Sequence, residues 1–164
     1  MTVQASSSTR PALNIRTRSA VVGGLGAVLL IISTLGIAWF HIPAQPQAHV
    51  PALTLSYNGL HHLASSGLAP TNWIQQNYFA WLGWVLIAAT IIATGAAALA
   101  GHRLLSGAGA VLSLLGLVLG LFAAKGVLSW SQFSHEIPDL RIGAYLLVIG
   151  FLLTLVSVLV PERD

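Results

Sequence analysis

Four long stretches without any Asp, Glu, Lys or Arg restrict the possible folds of this chain more than any other feature. They run from Ser19 to Phe40, from Phe79 to Ala100, from Leu104 to Ala124 and from Ile142 to Val160. Each has close to the ~20 residues that a helix needs to cross a hydrocarbon layer ~30 Å thick. Charged residues make up 7% of the chain, against about 25% in soluble domains. We therefore predict an all-α membrane protein, a four-helix transmembrane bundle.

The basic residues predict the orientation of this bundle. With the N-terminus inside, the cytoplasmic side carries five arginines: Arg10, Arg16, Arg18, Arg103 and Arg163. Lys125 and Arg141 then lie outside, so the positive-inside rule predicts that both termini are cytoplasmic and that the bundle spans the inner (plasma) membrane. This asymmetry also accounts for the net charge of +3, so we expect no nucleic-acid partner.

The same reading divides the chain into segments. Residues 1–18 are predicted to be a disordered cytoplasmic tail, residues 19–160 the transmembrane domain and residues 161–164 a second cytoplasmic tail. Outer loops are predicted at 41–78 and 125–141. The first is large, yet too small to bury a core of its own, so we expect it to pack on the bundle or on a partner.

Within the first outer loop, Leu53, Leu55 and Tyr57 alternate like a short strand, and Asn58-Gly59 is a turn signal. Helical spacing follows in Leu60, Leu63, Ala64, Gly67 and Leu68. We expect that last segment to be amphipathic and to lie on the outer leaflet.

Two groups of residues are candidates for contacts. The outer side is uncharged, aromatic and leucine-rich, which suits a protein interface. Its predicted contact residues are Trp73, Trp81, Trp84 and Trp130 as anchors, with Leu53, Leu55, Tyr57 and Leu60 as the surface of the loop. In the third predicted helix, small residues recur at helical spacing: Gly109, Ser113, Gly116 and Gly120. Such a stripe lets helices approach closely, and we favour packing within the chain over contact with another subunit.

Histidines on the outer side raise the possibility of a metal site, because neutral imidazole binds zinc and copper. The candidates are His41, His49, His61 and His62. No HxxxH or HExxH spacing occurs, and neighbouring side chains such as His61 and His62 diverge on a helix or strand. We favour ordinary polar loop residues and predict no metal or other cofactor, with metal binding and pH sensing as the alternatives.

The sequence contains no Walker loop, no GxSxG motif and no paired carboxylates. The predicted spans contain no Asp, Glu, Lys or Arg that could relay protons or bind ions. The chain has no cysteine, which excludes thiol chemistry. We therefore predict that it is not an enzyme, since an enzyme or transporter would need a polar cavity lined by Ser and Thr.

Four helices, both termini inside and a short strand leading to Asn58-Gly59-Leu60 resemble the claudin-like tetraspan layout. The tryptophan and two cysteines that follow Gly-Leu in that family are missing, and His61 stands at the tryptophan position. With its richness in Ala, Gly, Leu and Arg, the chain is also similar to small four-helix accessory proteins of the actinobacterial envelope, such as those of Mce-type lipid-import complexes. This resemblance implies no particular functional residues.

These features together predict a non-catalytic accessory subunit that stabilises a larger cell-envelope complex, such as a lipid transporter. Membrane lipids are the other expected partner. The alternative is a membrane sensor or binding protein that recognises a lipid or a metal through its histidine-bearing outer loop.

Overall fold

The computed structural model describes residues 15–44, 51–67, 70–100 and 103–159. Within them lie six helices and one two-stranded sheet. In chain order these elements are α1 (Ile15–Thr34), β1 (Ala38–Ile42), β2 (Leu53–Ser56), α2 (Tyr57–Ser66), α3 (Trp73–Ala100), α4 (Arg103–Lys125), α5 (Trp130–Glu136) and α6 (Ile142–Leu159). His49 and the predicted tail residues 1–14 and 161–164 lie outside the described residues, whereas residues 15–18 belong to α1.

Three helices are long and apolar enough to cross a membrane, namely α3, α4 and α6. The apolar part of α1, Ser19–Thr34, is shorter. The helical class of fold is therefore confirmed. Because an α-helix rises 1.5 Å per residue, the 28 residues of α3 extend about 42 Å.

The four long helices pack in a ring, with α1 against α6, α6 against α4, α4 against α3, and α3 against α1. Backbones come closest where α1 crosses α6. A Cβ built on Gly26 would lie 2.9 Å from the carbonyl oxygen of Gly150. We call this contact the α1–α6 seam. Within it, the Ser19 hydroxyl donates a hydrogen bond to the Ser157 carbonyl.

The first predicted helix ends earlier than expected, at Thr34 instead of Phe40. Gly36 adopts a left-handed conformation with φ of +78°, which turns the chain out of the helix. The Trp39 indole N–H then donates to the carbonyl of Ser33 at 2.7 Å. That bond satisfies one of the carbonyls left without a partner at a helix C-terminus, and it fixes the turn into β1.

The second predicted helix begins earlier than expected, at Trp73 instead of Phe79. Its N-cap is Asn72, whose side-chain oxygen accepts a hydrogen bond from the backbone N–H of Gln75 at 2.7 Å. The first loop therefore ends at Asn72 and not at residue 78. The other two predicted helices differ by one or two residues, and Val160 lies outside the described part of the chain.

A two-stranded sheet closes the end of the bundle where α1 ends and α3 begins. The strand predicted at Leu53 and Leu55 is confirmed as β2, but Tyr57 already belongs to α2 and the partner strand was not predicted. β1 pairs antiparallel with β2, placing Phe40 opposite Leu55. On its other side, β1 is joined to the segment before α6, where the Arg141 N–H donates to the Trp39 carbonyl at 2.8 Å. We call β1, β2 and α2 the cap, and this end of the bundle the capped end.

The predicted turn at Asn58-Gly59 is wrong, because both residues lie in the first turn of α2. The Ser56 hydroxyl accepts a hydrogen bond from the Gly59 N–H at 3.2 Å, so Ser56 is an N-cap and the helix begins directly after β2. The helical spacing predicted from Leu60 onward is confirmed for Leu60, Leu63 and Ala64. The helix ends at Ser66, Gly67 is its C-cap with φ of +70°, and Leu68 lies outside the described residues.

Candidate functional site

Four buried aromatic side chains hold the cap on the bundle: Trp39, Tyr57, Tyr78 and Phe79. Their rings meet edge to face, with centroids 5.2 Å apart for Trp39 and Tyr57 and 5.3 Å apart for Tyr57 and Phe79. This is the favoured geometry for aromatic pairs. The cluster thus joins β1, α2 and α3 into one core.

A π-helical turn in α3 receives the hydroxyl of Tyr57. Over Tyr78–Leu82 the backbone widens, so that the Gly83 N–H donates to the Tyr78 carbonyl five residues earlier. The Tyr57 hydroxyl donates to the same carbonyl at 2.9 Å. Burial raises the pKa of the Tyr57 phenol above its ordinary value, because the charged phenolate is poorly solvated there.

Gly83 is needed for this contact. A Cβ built on Gly83 would lie 2.1 Å from the Tyr57 hydroxyl oxygen and 2.8 Å from the Tyr78 carbonyl oxygen. Any side chain there would displace Tyr57 or open the π-helical turn. No local sequence pattern distinguishes Gly83 from the other glycines of the chain.

The structure separates the predicted contact residues into two sets. Leu55, Tyr57 and Leu60 are buried within the chain, as parts of the core beneath the cap. The exposed set is Leu53, Trp73, Trp81, Trp84 and Trp130. Only the exposed set is available to a partner.

Three of these tryptophans follow one side of the half of α3 nearest the cap, and we call Trp73, Trp81 and Trp84 the Trp stripe. Trp73 is 70% exposed and Trp81 is 52% exposed. Asn77 ties the Trp81 ring to the start of α3, because its amide donates to the Trp73 backbone carbonyl at 2.9 Å and its oxygen accepts from the Trp81 indole at 3.1 Å. Trp84 is held edge-on against Tyr57, with ring centroids 5.5 Å apart. The Trp81 and Trp84 rings are therefore exposed but held in place, whereas Trp73 is the most exposed ring of the stripe.

Trp130 lies apart from the stripe, at the corner between α4 and α5. Its ring packs edge-on against Phe122 at 5.8 Å, and the ammonium of Lys125 lies 5.2 Å from its centroid. The sequence grouped Trp130 with the other tryptophans because all lie near the predicted outer boundary, but the structure assigns it a different neighbourhood.

The predicted packing residues of α4 all face helices of their own chain: Gly109, Ser113, Gly116 and Gly120. A Cβ built on Gly116 would lie 2.3 Å from the Phe151 ring. The Ser113 hydroxyl lies 3.0 Å from that of Thr154. The contact between α1 and α6 was not predicted, although small residues recur on α6 at a seven-residue spacing in Gly143, Gly150 and Ser157.

The histidines of the described residues do not converge. The His41 ring nitrogen lies 3.3 Å from the Thr54 hydroxyl across the sheet, and the rings of His61 and His62 are 5.5 Å apart and tilted. Among residues 15–44, 51–67, 70–100 and 103–159, no three His, Cys, Asp or Glu side chains form a group that could hold a metal.

Among the described residues, every buried polar residue is a Ser or a Thr. Most of their hydroxyls donate to carbonyls three or four residues earlier in the same helix, as in Ser33, Thr34, Thr94 and Ser157. Such bonds satisfy the hydroxyl locally. The interior formed by the described residues therefore offers weak hydrogen-bonding groups and no buried charged side chain.

Comparisons of this chain with protein-family models, with curated proteins and with solved structures each find no match.

Proposed function

We propose that this protein is a non-catalytic membrane subunit that stabilises a larger cell-envelope complex. In this proposal α1, α3, α4 and α6 form a transmembrane four-helix bundle in the inner membrane, with both termini cytoplasmic and the capped end outside. The Trp stripe is the docking surface. The resemblance to accessory subunits of lipid-import complexes makes a lipid transporter the partner that we favour.

The observation that carries this proposal is the position of Trp73 on α3, beyond the part of the helix that would cross the hydrocarbon core. Counting ~20 residues from Ala100, the length that crosses the hydrocarbon core, reaches Trp81 at the outer boundary. Trp73 lies eight residues further, about 12 Å beyond that boundary. There, a lipid chain does not cover its indole, which is 70% exposed. Tryptophans are frequent anchors of protein interfaces.

The ends of the bundle support the orientation. Arg103 begins α4 at the end opposite the cap, whereas Lys125 ends α4 at the capped end. In the topology predicted from the sequence, Arg103 shares its side of the membrane with four other arginines: Arg10, Arg16, Arg18 and Arg163. The positive-inside rule therefore favours a cytoplasmic location for that side and an outer location for the capped end.

The interior of the bundle supports a non-catalytic role. The buried Ser and Thr hydroxyls are largely engaged by their own helix backbones. Transport of protons or ions requires ionisable or multiply coordinating groups in the membrane. A stabilising subunit requires none of them, only a bundle that is stable and a surface that binds.

The test is co-purification of the tagged protein from its native membranes in mild detergent, with the stoichiometry of every recovered protein quantified. Trp73→Ala and Trp81→Ala are compared with Ile92→Ala, a matched control that is also 70% exposed and lies lower on α3. We expect the two tryptophan variants to lose a stoichiometric partner by at least tenfold, as for interface hot spots, and the control to retain it. Unchanged recovery in all three variants, or a wild-type protein recovered alone, would refute the docking role.

A further inference from the structure

The corner between α4 and α5 carries a second, separate site. We propose that Lys125 and Trp130 bind the phosphate of an anionic membrane phospholipid, with Phe122 beside its acyl chains. This inference rests on the membrane placement proposed above, but it does not depend on the Trp stripe or on a protein partner.

The backbone of this corner is fixed by its own hydrogen bonds. Gly126 adopts a φ of +58° and its N–H donates to the Phe122 carbonyl at 2.9 Å, which ends α4. The Asn72 amide donates to the Gly126 carbonyl at 2.7 Å, which ties the corner to the start of α3. The corner is thus anchored to two long helices.

Trp130 is held equally firmly, as the first residue of α5. The Ser129 hydroxyl accepts from the Gln132 N–H at 3.2 Å, and the Gln132 side chain accepts from the Ser129 N–H at 2.9 Å. This reciprocal capping box fixes the start of the helix. The indole ring itself packs edge-on against Phe122 and Phe133, which holds it over the end of α4.

The Lys125 ammonium lies 5.2 Å from the centroid of the Trp130 ring, within the range of a cation–π contact. An ammonium has three donors and no acceptor, and the ring face engages one side of it. Within the described residues, Lys125 forms no ion pair with a carboxylate. A cation positioned in this way still has donors to offer to an anion.

The depth of the corner decides which anion it meets. The 23 residues of α4 extend about 34 Å, so Lys125 lies at the outer edge of the hydrocarbon core when Arg103 lies at the inner edge. Lipid phosphates occupy that level. Phe122 is exposed one turn below Lys125, and Val118 and Leu121 continue the apolar face toward the acyl chains. A phospholipid matches both the cation and the apolar face, whereas free phosphate matches only the cation.

The experiment is native mass spectrometry of the full-length protein in detergent, titrated with phosphatidylglycerol, phosphatidylcholine or inorganic phosphate. We expect phosphatidylglycerol to bind best. Lys125→Gln should weaken its binding about fivefold, the value of one basic residue at an anionic membrane surface. Trp130→Leu should weaken it about two- to fivefold. Lys125→Arg should retain it.

Arg141→Gln is the matched control, because Arg141 is exposed at the same end of the bundle and outside the corner. Equal losses in Lys125→Gln and Arg141→Gln would overturn the site in favour of diffuse attraction. Equal binding of phosphatidylcholine would overturn the preference for an anionic lipid. Displacement of phosphatidylglycerol by inorganic phosphate at similar concentration would assign the corner to phosphate and not to lipid. A chain that lacked the proposed membrane placement would be recovered without detergent, so the two failures are distinguishable.

Discussion

The hydroxyl of Tyr57 donates a hydrogen bond to the backbone carbonyl of Tyr78, which lies 21 residues later in the chain. The bond joins the first turn of α2 to the π-helical turn of α3. Because the same carbonyl also accepts the Gly83 N–H, the cap and the irregular turn stabilise one another. Trp81 lies within this turn and Trp84 packs against the Tyr57 ring, so the positions of these two members of the Trp stripe depend on the contact.

Removing this hydroxyl should therefore destabilise the protein. We expect Tyr57→Phe to lower the free energy of unfolding by about 1 kcal/mol, the usual net value of a buried hydrogen bond. The Tyr78 hydroxyl is the control, because it is buried without a hydrogen-bond partner among the described residues. Tyr78→Phe should leave stability unchanged or raise it slightly. Denaturant unfolding in detergent measures both variants, and equal losses would contradict the assigned contact.

Adding a methyl group beneath Tyr57 should also destabilise the cap. Gly83→Ala is expected to cost about 1–3 kcal/mol, because the new Cβ overlaps the Tyr57 hydroxyl. Gly95→Ala on the same helix is the control, since a Cβ there meets nothing within 4 Å. It should stabilise the helix by about 0.5–1 kcal/mol. In the Tyr57→Phe background, Gly83→Ala should cost less, and strictly additive effects would argue against direct contact between the two positions.

Alkaline pH should weaken the cap through Tyr57. Its phenol has a raised pKa in the folded protein, so the unfolded chain releases the proton first as the pH rises past the ordinary value of about 10. The contribution to stability is complete below pH ~10 and is lost above it. The unfolding free energy measured from pH 8 to 11 should fall less steeply in Tyr57→Phe than in the wild type. Identical slopes would rule out this role for Tyr57.

The α1–α6 seam gives a prediction with a control two residues away. Gly26→Ala places a Cβ 2.9 Å from the Gly150 carbonyl oxygen, and backbone atoms cannot rotate aside. We expect a loss of about 1–3 kcal/mol in the free energy of unfolding. Gly24→Ala adds the same methyl group where nothing lies within 4 Å, and it should be neutral or mildly stabilising. Thermal unfolding of the two variants in parallel measures the difference, which would vanish if the helices were not in close contact.

The long helices were predictable because a charge-free stretch of about 20 residues has few other stable conformations. Their ends were less so. The apolar run from Ser19 to Phe40 continues without interruption, and it hides the turn at Gly36, where the chain leaves the helix for a strand. Apolar composition alone does not distinguish a helix from a strand. At the start of α3 the error was in the other direction. Polar residues there made about one and a half helical turns look like part of the loop, so the predicted helix began too late.

The cap was harder to predict because it depends on contacts between distant segments. β1 pairs with β2 although residues 43–52 separate the two strands in the sequence. The Tyr57 hydroxyl donates to a backbone carbonyl of α3. Leu55, Tyr57 and Leu60 look like an exposed, apolar loop in the sequence because nothing local shows what covers them. A local signal did exist at Ser56, a good N-cap residue, but the Asn58-Gly59 pair carried the stronger turn signal.

The central claim is that the helices span the membrane with the capped end outside. Because the chain has no cysteine, single substitutions report accessibility without background. Ser65→Cys lies on α2 in the cap and Ala100→Cys at the opposite end of α3, and both positions are exposed. With a membrane-impermeant maleimide added to intact cells, we predict labelling at position 65 at once and at position 100 only after permeabilisation. Labelling of position 100 in intact cells, with position 65 protected, would reverse the orientation and contradict the account.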